Sequence, residues 1–112
     1  MTPREIQSQM RRLCYFGVSA ADGYRHLMRG DSLDRDLVSQ LIGEYITTQN
    51  VIVYASSKDC SYVQKPAAFE LIQDYRLNDA YARVQVVAAD FSGRIVIEPI
   101  GVGVGERRKM QQ

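Results

Sequence analysis

The stretch "ARVQVVAADFSGRIVIEPI", residues 82 to 100, decides the class of fold. Two β-branched runs flank "FSG", which reads as a β-hairpin whose turn takes its positive φ from Gly93. Alternation along the first arm turns Val84, Val86 and Ala88 inward, with Ile95 and Ile97 opposite them. Arg83, Gln85, Arg94 and Glu98 then face solvent, as expected of a sheet covered by helices on one face and partly wet on the other.

Upstream, "VIVYA" (51–55) is a strand-length run without alternation, the pattern of a central strand buried on both faces. Between it and the hairpin, "SSKDCSYVQK" (56–65) reads as a loop. Pro66 then opens a helix that Ala67, Ala68, Leu71, Ile72 and Tyr75 carry to about Leu77, and Asn78-Asp79 turns the chain. Pro99 and "GVGVG" (101–105) end the last strand, and "ERRKMQQ" (106–112) reads as a flexible basic tail.

The N-terminal half reads as three helices. Thr2-Pro3-Arg4-Glu5 is a capping box with proline at the first helical position, and Ile6, Met10 and Leu13 line one face up to a stop at Gly17. Ser19-Ala20-Ala21-Asp22 repeats the capping signal and opens a second helix through Tyr24, Leu27 and Met28 to Gly30. The third is capped by Asp31 or Ser32, and Leu33, Leu37, Leu41 and Tyr45 with Val38, Ile42 and Ile46 form its apolar stripe. The expected architecture is α+β: three N-terminal helices, then a small mixed three-stranded sheet with one crossover helix, in the order β-α-β-β. A right-handed crossover makes its first strand pair parallel.

With 112 residues, one core and one domain are expected, over residues 1–105 with the tail behind it. Fourteen basic against thirteen acidic side chains give a formal charge of +1, which argues against a dominant nucleic-acid footprint. No segment has the length and apolarity of a membrane span or a secretory signal, so a cytoplasmic setting is expected. Cys14 and Cys60 form no C-x-x-C and read as reduced thiols.

Three function classes compete. In "GVSAADGYRHL" (17–27), the Gly, Val, Ser, Tyr, Arg, His and Leu resemble the helix-turn-helix of resolvase-like DNA-binding families. That resemblance covers about a dozen residues; it implies a DNA-binding regulator using residues 5–29, with Ser19, Ala20 and Arg25 toward DNA and His26 near the backbone. Gly23 stands where those families place a core aliphatic residue, and Leu13 where they place a small one. A thiol enzyme would use Cys60, with Lys58 lowering its pKa and Asp59 opposing that effect. His26 is the sole histidine, so neither a metal nor any cofactor is expected, and no catalytic residue pair stands out.

The remaining class, a small non-enzymatic binding or regulatory protein acting through protein–protein contacts, fits best. Seven tyrosines and no tryptophan supply amphipathic contact area. Tyr62 and Tyr81, in or beside loops, are the expected interface residues. A homodimer through a sheet edge is the simplest assembly, because a small sheet leaves two edges to cover.

Overall fold

The computed structural model describes residues 2–12 and 23–107. It contains helices α1 (Pro3–Arg12), α2 (Arg35–Tyr45) and α3 (Ala68–Asn78), with strands β1 (Arg25–His26), β2 (Met28–Arg29), β3 (Ser32–Leu33), β4 (Asn50–Tyr54), β5 (Cys60–Gln64), β6 (Val84–Ala88), β7 (Gly93–Ile97) and β8 (Val102–Arg107). Six strands form one antiparallel sheet in the order β1-β8-β7-β6-β4-β5, and β2 with β3 forms a separate hairpin. The class is still α+β, but the expected three-stranded β-α-β-β sheet is replaced by a larger, antiparallel one.

Four corrections produce that difference. Residues 56–65 are not a single loop. Ser56 Oγ accepts the amides of Lys58 and Asp59 at 3.2 and 3.1 Å, closing a turn that returns the chain along β4 as β5. Because β5 reverses the direction first, the segment carrying α3 brings β6 back antiparallel to β4, and the expected parallel pair does not form.

Second, "VGVGER" is a strand. Its alternation puts Gly103 and Gly105 opposite Ile97 and Ile95, on the helix-covered face, where Leu27, Leu41 and Tyr45 occupy the space that side chains would need. The stretch expected to be a tail therefore begins with two strand residues, Glu106 and Arg107.

Third, over the described part of the expected second helix, the backbone is extended. Arg25 and His26 pair with Gly103 and Val102, and the Leu27 amide donates to Gly101 O at 3.0 Å. Gly23 and Gly30 hold φ of +69° and +61°, conformations that favour glycine and interrupt a helix. Leu13, Gly17, Ser19 and Ala20 lie outside the described residues.

The fourth correction concerns the β6–β7 turn. Positive φ falls on Phe91, at 61°, and not on Gly93. Phe91 is buried with Ile6, Ile52, Cys60 and Val87, and burial of an aromatic ring, worth about 2–3 kcal/mol, outweighs the ~1 kcal/mol of left-handed strain. Gly93 is required for a different reason: a Cβ there would collide with the Tyr45 carbonyl oxygen and sit 3.3 Å from that of Glu106.

Other expectations hold. The Glu5 amide donates to Thr2 Oγ1 at 3.2 Å, so α1 starts as the capping box requires. Val51, Ile52 and Val53 are fully buried in β4, which lies between β6 and β5. Val51 and Val53 join the core formed with α2 and α3, together with Val84, Val86, Ala88, Ile95 and Ile97; Ile52 packs with Ile6 of α1 on the opposite face. The α2 stripe is buried at Val38, Leu41, Ile42 and Tyr45, although the helix begins later than expected, capped by Asp34.

Candidate functional site

Two surfaces bear the expected interface tyrosines. Tyr62 is the middle residue of β5, the outermost strand on one side of the sheet, and is 39% exposed. The hydrogen-bond parity of that strand follows from its flanks. Ala55 N donates to Asp59 O at 2.8 Å and Lys65 N to Gln49 O at 2.7 Å. Asp59 and Lys65 thus face β4, and with the continuous register between them, so do Ser61 and Val63. The alternate residues, Cys60, Tyr62 and Gln64, turn their N–H and C=O groups away from the sheet.

Among the described residues, this edge carries few of the devices that protect edges. Natural edge strands are shortened, charged, bulged or interrupted by proline. Cys60–Gln64 contains no charge and no proline, and its pairing to β4 is unbroken. Charged residues appear only at its ends, Asp59 and Lys65. At the other side of the sheet, β1 is only two residues long and carries Arg25 and His26. The strand is braced from behind by α3, whose Tyr75 hydroxyl lies 2.8 Å from Ser61 Oγ; burial pushes the Tyr75 hydroxyl above its usual range.

Tyr81 belongs to a different place, the end of the sheet where α3 hands over to β6. It is 89% exposed, and Leu77 and Ile100 nearby in the fold are 85% and 79% exposed. Arg76 ties this end together: its guanidinium donates to Glu98 O at 3.1 Å and Pro99 O at 3.2 Å. Arg83 Nε adds a bond to Glu98 Oε2 at 3.0 Å. The structure therefore separates Tyr62 and Tyr81 into a strand edge and a sheet end.

Residues of the other two function classes find other employment. Arg25 pairs with Glu44 of α2 at 2.5 Å, and His26 is exposed on β1. Neither lies on a helix, so the geometry by which a recognition helix enters a groove is absent from residues 23–29. Cys60 is a buried free thiol. Its Sγ lies 3.8 Å from the carbonyl oxygens of Pro3 and Ser57, and burial, followed by the Asp59 carboxylate, pushes its pKa up. That environment favours the inert thiol over the thiolate a nucleophile requires. Among the described residues, no group of three or more His, Cys, Asp or Glu side chains could hold a metal ion.

Two features were not expected from sequence. A cavity of about 480 Å³ is lined by Ser39, Ile42, Gln49, Gln64, Lys65 and Pro66, between α2 and the far end of β5. The Lys65 ammonium on its wall donates to Ile46 O at 2.9 Å. On the opposite face of the sheet, Glu106 is 2% exposed and Arg94 stands 3.4 Å from its carboxylate while donating to Gln85 at 3.0 Å. Alternation along β7 and β8 was the available signal for that pair, but it required β8 to be recognised as a strand.

No family model matches the chain, and no curated protein or solved structure does. Among the described residues, no helix is long and apolar enough to cross a membrane.

Proposed function

We propose that this is a small non-enzymatic binding or regulatory protein that acts through protein–protein contacts, and that the open edge of β5 is where it does so. The observation that carries the reading is the outward row of backbone groups on Cys60, Tyr62 and Gln64, beside an exposed tyrosine and without charge inside the strand. An added strand would satisfy those donors and acceptors and gain main-chain affinity, while Tyr62 and Gln64 would supply side-chain selectivity. Self-association through this edge is the simplest use of it.

The direction of each amide provides the test. Tyr62 N–H points outward, so Tyr62→Pro removes a donor for an incoming strand while preserving every bond to β4. Ser61→Pro removes a bond to β4 itself. Capture experiments with the wild type and Tyr62→Pro as baits are expected to lose bound proteins in the variant, whose melting temperature should match that of wild type diluted to the monomer. An identical bound set on both baits would rule out the edge as the contact surface. Ser61→Pro is expected to melt markedly lower, which verifies the strand's orientation.

A further inference from the structure

Resting on that reading of β5, we infer that the occupant of the edge is a second copy of this chain, paired antiparallel with Tyr62 on the two-fold axis. Residues whose backbone groups point outward must meet each other in an antiparallel pair. With Tyr62 opposite its symmetry mate, Cys60 meets Gln64 of the other copy, and each of these pairs exchanges N–H···O bonds in both directions. The arrangement satisfies the outward groups of all three residues. It joins two six-stranded sheets into one.

The charges at the strand's ends select this register. Continuing the same pairing outward places Asp59 of each copy opposite Lys65 of the other, where the two charges would meet by exchanging their bonds within the chain, Lys65 to Ile46 O and Asp59 to Asn78. Both lie on the same face, because opposed residues in a ladder do and because Asp59 and Lys65 share the parity of Ser61 and Val63. A two-residue slip would instead leave these charges opposite uncharged residues or beyond the ladder. Parallel pairing would set Asp59 beside Asp59 and Lys65 beside Lys65. Opposite charges across a ladder stabilise and like charges destabilise, so a strand with an acid at one end and a base at the other favours antiparallel self-pairing. The two Tyr62 rings meet across the axis on the face shared with α1, where offset aromatic packing covers surface that is exposed in the single chain.

Sedimentation equilibrium of the full chain provides the test, using Asp59→Lys, Lys65→Asp and the double exchange. The wild type is expected to dimerise. Each single exchange places like charges at both ends of the ladder and should raise the dimer dissociation constant about tenfold. The double exchange should restore it, and an equimolar mixture of the two single variants should form a heterodimer. Tyr62→Pro should be monomeric and should melt with wild type diluted below its dimer dissociation constant, which separates loss of pairing from loss of folding. A dimer indifferent to the exchanges would overturn the register. A wild type that stays monomeric would overturn self-pairing, and if Tyr62→Pro still loses captured proteins, the contact edge itself stands with a different occupant.

Discussion

At the scale of single residues, the most informative positions are those where a side chain is missing. Gly105 lies under the Tyr45 ring, and a Cβ added there would overlap three ring carbons. Tyr45 cannot retreat freely, since Arg107 stacks on it with the guanidinium carbon 5.4 Å from the ring centre. Gly105→Ala is therefore expected to cost about 2 kcal/mol, in the range for overpacked cores, read as a lowered midpoint in urea unfolding. In the sequence these glycines signal flexibility, because glycine is depleted in strands; only the bulk of Leu41 and Tyr45 on α2 explains why this strand needs them. Cys60 is a second case where surroundings override type. With burial and Asp59 both raising its pKa, its thiolate fraction at neutral pH falls below that of a free cysteine. Alkylation of Cys60 in the folded protein, followed by peptide mass analysis, should be slow at pH 7.5 and accelerate when urea unfolds the chain. Fast labelling in the folded state would revive a nucleophilic role.

At the scale of elements, legibility tracked how much of the signal was local. The capping box at Thr2–Glu5, the buried run of β4 and the inward residues of the β6–β7 hairpin were readable because cap chemistry and period-two patterning act over a few residues. The segment from Tyr24 to Leu33 was not. Tyr24, Leu27 and Met28 have helical spacing, yet a short helix with an internal glycine has little intrinsic stability, and pairing with β8 supplies hydrogen bonds that only tertiary structure reveals. β5 was missed for a related reason. The polar "SSKD" made the whole of residues 56–65 read as a loop, and the weak hydrophobicity of "CSYVQ" hid the return strand, and with it the edge now proposed as the contact site. The start of α2 shows the same limit on a finer scale. Asp31, Ser32 and Asp34 are all capable caps, and the β2–β3 hairpin uses up the first two before Asp34 accepts the amides of Asp36 and Leu37 at 2.9 and 3.1 Å. Asp34→Ala should cost about 1 kcal/mol of stability, whereas Asp31→Ala should change it by less than about 0.5 kcal/mol. Thermal unfolding of both variants distinguishes the caps.

At the scale of the whole molecule, the two tyrosine-bearing surfaces differ in what holds them and so in what they can do. The β5 edge offers directional backbone groups. The sheet end offers Leu77, Tyr81 and Ile100, three apolar side chains held outward on a frame that Arg76 fixes to the β7–β8 turn. Burial lowers the pKa of Arg76, but an arginine still keeps its charge across the working range, so this frame does not loosen with pH. Exposed apolar groups add little to the stability of the chain that carries them, and their cost appears as reduced solubility. Replacing Leu77 and Tyr81 by serine should therefore leave the unfolding midpoint nearly unchanged, raise solubility in ammonium sulfate and leave the dissociation constant of the β5-paired dimer as in the wild type. Because the edge contact is built from main-chain bonds and the sheet end from side-chain area, the two effects should add independently when the serine substitutions are combined with Tyr62→Pro. A dimer weakened by the serine substitutions alone would place the sheet end, and not β5, at the interface.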